Sequence, residues 1–245
     1  MGKLSRNDLH AACLDDLKDR SQWDTRQGMF YKMRHNGLRR KTKPWPGASD
    51  AHFPLSDTVI GRLAPFYFQQ IFATDLAAQF TPIRDKTQAF SNAAAQWFDY
   101  QLKQKTNLET EILACIDFML MSGRGVMKTY WDEDKKKVQF QNIDPQHIIV
   151  PTWTRDLMDA DRIVHVQHYS RDSYRRNSLF NQDEALIKRI TGAGTDVRGD
   201  NQKIQSQYQR EGLTFNEEDY IIIWEVWTRD ADANWNCETF SPLRP

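Results

Sequence analysis

The chain has 245 residues, of which 40% are hydrophobic and 27% charged, and its 33 basic and 33 acidic side chains cancel. Eight Trp, 13 Phe and eight Tyr exclude a chain disordered throughout, because disordered sequences are poor in aromatics. Zero net charge excludes the strong basic bias of a protein that wraps nucleic acid, and it does little to keep copies of the chain apart.

Such a length allows one large domain or two small ones. A fold of this size can bury about 75% of the surface its unfolded chain exposes, so disulfides and structural metals are not required. Cys13, Cys115 and Cys237 are odd in number and far apart, which predicts three buried or semi-buried thiols in a reducing compartment. The charge is uneven, with eleven Lys/Arg against six Asp/Glu in residues 1–50. The start lacks a secretory h-region, and Arg6 stands where a myristoylation signal needs Ser or Thr. No apolar run reaches the roughly 20 residues of a membrane span. A soluble protein made inside the cell is expected.

Along the chain, Leu9, Cys13 and Leu17 recur one turn apart and predict an amphipathic helix over 5–20. A second helix is expected from Trp23 to about Arg34, stopped by Asn36-Gly37. Residues 37–56 are aperiodic, with Pro44, Pro46, Gly47 and Pro54 around Trp45. Such a loop is expected to be anchored by burial of the indole, on its own helices or on a neighbouring subunit. A helix from Leu55 to about Phe72 follows, apolar on most faces and therefore buried or at an interface. Gln79–Ile83 reads as a short strand. A helix over 85–104 is expected to bury Phe90, Ala94, Trp97, Phe98 and Leu102. Thr106-x-x-Glu109 has capping-box spacing and opens a helix that ends at Gly123.

Beyond Gly125 the period changes to two. Val126–Trp131 and Val138–Asn142 predict a hairpin, with further strands at Ile148–Val150 and Ile163–Tyr169. Residues 172–190 are weakly helical, and 191–212 reads as a mobile surface excursion. An aromatic hairpin closes the chain, Tyr220–Thr228 and Trp235–Phe240 around Asp230–Asn234. The fold class is α+β: amino-terminal amphipathic helices, then antiparallel β-hairpins. The expected division is a mainly helical part over 1–123 and a mainly hairpin part over 124–245.

No catalytic constellation emerges, and no cofactor is expected. Gly123-Arg124-Gly125 lacks the third glycine of a dinucleotide loop and precedes a strand, so it reads as a helix stop and tight turn. His165 and His168 fall on opposite faces of one strand. Asp230, Asp232, Asn234 and Asn236 resemble a calcium loop but lack its glycine and flanking helices, and an Asx-rich turn is the expected reading. The adjacent acids Asp15-Asp16, Asp132-Glu133 and Glu217-Glu218 read as surface pairs. Arg39, Arg40, Lys41, Lys43 and Trp45 form the one cluster suited to a subunit contact or to nucleic-acid backbone.

Four stretches carry a resemblance. They are Lys43-Pro44-Trp45-Pro46-Gly47-Ala48-Ser49-Asp50 with Phe53-Pro54-Leu55 and Asp57-Thr58-Val59; Met121–Lys128 with Tyr130-Trp131; Ile143–Pro151 with Asp161–Val164; and Ile223–Arg229. In this order they resemble the amino-terminal wing of portal proteins of tailed bacteriophages. The resemblance implies a dodecameric ring at a capsid vertex, a conduit for genome packaging and ejection, and no catalysis of its own. It implies terminase, capsid or scaffold protein and tail adaptor as partners, double-stranded DNA passing through the channel without sequence preference, and a place in the virion. Portal chains are longer, so stem, clip and channel-lining helices are expected beyond Pro245. The alternative is a nucleic-acid-binding or accessory module using residues 39–45.

Overall fold

A computed structural model describes residues 5–34, 45, 53–73, 79–82, 88–133, 135–191, 220–230 and 232–242. In chain order the elements are α1 (Arg6–Asp19), α2 (Ser21–Arg34), α3 (Leu55–Ile71), α4 (Gln88–Tyr100), α5 (Leu108–Ser122), β1 (Val126–Asp132), β2 (Lys137–Ile143), β3 (Ile148–Ile149), β4 (Arg162–Ser170), α6 (Arg171–Arg176), α7 (Glu184–Ile190), β5 (Tyr220–Arg229) and β6 (Trp235–Phe240). The class is α+β, as expected, with two antiparallel sheets among the described residues. The chain divides into two compact units, one of Met1–Met29 with Gln146–Pro245 and one of Phe30–Pro145. That division differs from the expected boundary near residue 123, because α1 joins the sheet formed by the last hundred residues.

In the first unit the sheet order is β3-β4-β5-β6. Alternation along β4 and β5 sends Val164, Val166, Trp224 and Val226 to one face, where they pack with Leu9 and Cys13 of α1. On the other face Ile221 and Ile223 pack with Tyr174 of α6 and with Ile187 and Ile190 of α7. Both faces of the sheet are therefore covered by helix over part of their extent. The closing aromatic hairpin is not a two-stranded ribbon, since β5 pairs with β4 from Arg162↔Thr228 to Ser170↔Tyr220. The third position of the α1 stripe is also corrected: Asp16 is buried, and Leu17 only partly so.

Asp16 is buried because Arg162 meets it with a two-pronged hydrogen bond, Nε to Oδ2 at 2.6 Å and Nη2 to Oδ1 at 2.7 Å. Paired donors and acceptors of this geometry are the arrangement that lets a charge leave water. The neighbouring Cys13 thiol is pushed up to about 12, chiefly by burial, with the Arg162 cation pulling it down and Asp16 raising it. Cys13 is thus an inert thiol at neutral pH. Cys237 departs from the expected burial and is exposed, on the strand at the end of the sheet order.

In the second unit α5 carries the hairpin β1–β2, whose register runs from Val126↔Ile143 to Asp132↔Lys137. The capping box expected at Thr106 and Glu109 does not form. Asn107 instead donates from Nδ2 to the Phe140 carbonyl at 2.7 Å and accepts from the Phe140 amide at 3.3 Å. Glu111 accepts from the Asn142 amide at 2.6 Å. These two side chains bond β2 as a neighbouring strand would, which the local spacing could not reveal. The strand expected at Gln79–Ile83 is absent from 79–82, and Ile83 lies outside the described residues. The buried line of α4 is Ser91 and Ala95, rotated from the expected one, and Phe90 and Trp97 are exposed.

The reading of Gly123-Arg124-Gly125 as a stop and turn holds. Gly123 has φ +78° as the C-cap of α5, a conformation that costs other residues about 1 kcal/mol or more. Gly125 is needed for space, since a Cβ there would lie 2.7 Å from the Cys115 Sγ and 3.0 Å from its carbonyl oxygen. The sulfur can rotate away, but the carbonyl is fixed in α5. Gly125→Ala is therefore expected to destabilise the chain by about 1–3 kcal/mol, and Cys115→Ala in the same chain should restore only part of it. Urea melts of the three variants check this; full restoration would place the whole conflict at the sulfur.

Candidate assembly surface

The helix α3 shows how a sequence rich in large apolar side chains can stay on the surface. Its only buried residues are Ile60 and Ala64, four apart on one ridge. A parallel ridge, Leu55, Val59, Leu63, Tyr67 and Ile71, repeats every four residues and is 37–61% exposed throughout, with Phe66 beside it. Residues four apart lie one above another along a helix face, so the five make a continuous apolar ridge about four and a half turns long. Phe90 and Trp97 of α4 and Tyr130 and Trp131 of β1 are further large exposed side chains of the same unit. Free monomers rarely show contiguous apolar patches beyond a few hundred Å². Of the two expectations for this helix, buried or at an interface, burial within its own unit is found only at Ile60 and Ala64.

The stripe sits on a fixed scaffold. Arg34, in the last turn of α2, donates from Nη2 to Asp117 Oδ1 at 2.8 Å and from Nη1 to Asp117 Oδ2 at 2.5 Å. Its Nε donates to Asp57 Oδ1 in the first turn of α3 at 3.2 Å. One guanidinium thereby ties α2, α3 and α5 together. Its pKa is raised further above its already high value, first by its hydrogen bond to Asp117.

Of the expected contact cluster, Arg39, Arg40, Lys41 and Lys43 lie outside the described residues. Trp45 is described and is 63% exposed, so the burial expected on its own helices is not present. Either a neighbouring molecule covers this ring or solvent does.

The remaining candidates resolve into structural roles. His165 and His168 do lie on opposite sides of β4. The His165 Nδ1 is 3.3 Å from Glu225 Oε2, whereas the His168 ring lies tilted against His147 with centroids 5.0 Å apart. Glu225 also accepts from Trp227 Nε1 at 2.9 Å and from Gln167 Nε2, and Tyr169 donates in turn to Gln167. This network of buried and half-buried polar groups satisfies the carboxylate from several sides, as a buried charge requires. Sequence inspection missed it. The one available signal was the cross-strand register, which sets His165 opposite Glu225. Among the described residues no group of three His, Cys, Asp or Glu gathers as a metal site, and no helix is long and apolar enough to cross a membrane.

The Asx reading of the last turn holds in detail. Asp230 Oδ1 accepts from the amides of Asp232 at 3.0 Å and Asn234 at 2.8 Å, and Ala233 takes φ +64°. Those hydrogen bonds, first the one from the Asn234 amide, hold the Asp230 carboxyl below its ordinary value. A depressed folded-state pKa stabilises the turn above the unfolded carboxylate range, and that stabilisation is lost as pH falls through the lower folded value. Acid should therefore loosen this turn while the rest of the sheet persists. Amide protection at Asp232 and Asn234, measured by NMR relative to intrinsic exchange at each pH, is expected to fall from neutral to acidic pH in wild type. Equal protection across that range would assign the turn to its backbone alone.

No family model matches the chain, and comparison with curated proteins finds no match.

Proposed function

We propose that this chain is a structural subunit of a bacteriophage portal ring at the capsid vertex. It would form part of the conduit for genome packaging and ejection and part of the tail attachment point, without catalysis of its own. The observation that carries the reading is the exposed apolar ridge Leu55–Ile71 on α3, which suits a subunit whose surface is completed by neighbours. The four resembling stretches, taken in order, supply the family. The charge distribution adds support. The unit of Met1–Met29 with Gln146–Pro245 holds 17 Lys/Arg against 21 Asp/Glu, and Phe30–Pro145 holds 16 against 12. The net charges are thus −4 and +4. Opposite charge on two parts of one chain favours head-to-tail contact between copies, the kind that closes into rings. Terminase, capsid or scaffold protein and tail adaptor are the further partners of this reading, with double-stranded DNA in the channel and the virion as its location.

Negative-stain microscopy of the full-length protein, with light scattering for mass, tests it. Closed rings are expected from wild type. Val59→Asp with Phe66→Asp should abolish them while leaving the thermal melt of the subunit unchanged, since both side chains are already exposed. A full-length protein that stays monomeric at high concentration would overturn the proposal. The exposed indole of Trp45 favours one second reading, a nucleic-acid-binding module using Arg39, Arg40, Lys41, Lys43 and Trp45. Under that reading affinity for DNA should fall steeply with salt and drop further in Trp45→Ala, with no ring formed.

A further inference from the structure

The first unit holds a groove that neither the ring reading nor the α3 surface uses. Among the described residues β6 stands at the end of the strand order, with β5 as its sheet neighbour. The layer of α1 packs on one face of this sheet and that of α6 and α7 on the other. Around the Phe240 end of β6 the two layers leave a groove of about 660 Å³, within the range that binds sizeable ligands. Ile190, Ile223 and Phe240 contribute buried apolar surface to it. Leu179, on the connection between α6 and α7, stands at its margin 89% exposed.

Three polar features give the groove a chemistry. Arg189 lines it and has no ion-pair partner among the described residues. Arg6 also lines it and holds only a long, exposed contact of 3.5 Å to Glu238. The Ser241 Oγ, on the groove wall just past β6, is buried without a hydrogen-bond partner. Exposed arginines with weak or absent partners favour an anionic ligand, and an orphaned hydroxyl is a group that a ligand can satisfy. A strand edge is itself a template for a further strand, with pockets beside it reading alternate side chains.

We propose that this groove docks an extended acidic peptide segment of a partner protein, which adds along the edge of β6. Its apolar side chains would enter the groove, and its carboxylates would meet Arg6 and Arg189. The site lies wholly within the first unit and does not depend on ring formation.

The test uses the intact chain and a fluorescein-labelled decapeptide alternating valine and aspartate, with lysine-for-aspartate and central-proline versions as comparisons. Saturable binding of the acidic peptide is expected by anisotropy, with slowed amide exchange over β6. The lysine and proline versions should bind at least about tenfold more weakly, and Arg6→Ala with Arg189→Ala should cost a similar factor. Leu179→Asp, a change at an exposed margin that leaves the core intact, should also weaken it. Absent binding at millimolar peptide, or equal binding of the lysine version, overturns the proposal. Displacement by dodecanoate with unchanged exchange at β6 would instead make the groove a site for amphiphiles. Peptide-independent self-association lost in the arginine variant would make a second copy the occupant. Either result refutes the peptide assignment, and neither bears on whether rings form through α3.

Discussion

Trp224→Ala is expected to destabilise the chain by about 3–5 kcal/mol, a large share of the roughly 5–15 kcal/mol that holds an ordinary domain folded. The indole is fully buried on β5. It packs against Phe240, with ring centroids 6.2 Å apart, and against His10 of α1 at 5.8 Å. His10 is held in turn by a 2.7 Å hydrogen bond to the Pro242 carbonyl. Removing the indole therefore leaves a cavity where α1, β5 and the end of β6 meet. The loss is not purely one of packing, since Trp224 Nε1 is buried without a hydrogen-bond partner. Trp224→Phe discards that unsatisfied donor along with part of the volume, so it should cost far less, on the order of 1 kcal/mol. Chemical denaturation of both variants checks the pair. Equal losses would mean that the Nε1 carries a hydrogen bond of real value.

Asp16→Ala should cost about as much, in the range of 3–5 kcal/mol, because it strands the Arg162 guanidinium. Asp16 is 3% exposed and Arg162 15%, so the cation would lose its partner without gaining full hydration. Asp16→Leu combined with Arg162→Met replaces the pair with apolar groups of similar size and should recover most of the loss. A double-mutant cycle by urea melts measures this. If the double variant were as unstable as Asp16→Ala, the pair would have to be fixing the placement of α1 on the sheet. Recovery would show that the cost lies in the unpaired charge.

These two sites mark the boundary between what local sequence could and could not say. The order of helices and hairpins, the strands on either side of Asp132–Lys137, the stop at Gly123 and the Asx turn at Asp230 all follow from short-range chemistry. Periodicity, a left-handed φ and a side chain bonding its own backbone involve neighbours a few residues apart. The burial of Asp16 depends on Arg162, 146 residues away, and the His165–Glu225 pair spans 60 residues. Asp15-Asp16 reads as a surface pair until the fold brings a guanidinium to one of the two. Likewise Thr106 and Glu109 have capping-box spacing, yet the strand at Phe140 gave Asn107 and Glu111 better partners. On α4 the same apolar residues permit more than one buried ridge, and packing chose Ser91 and Ala95. For α3, sequence alone established an apolar helix with two outcomes, core or interface. Tertiary structure removed the first within its own unit, because α3 spends only Ile60 and Ala64 there and leaves the Leu55–Ile71 ridge exposed.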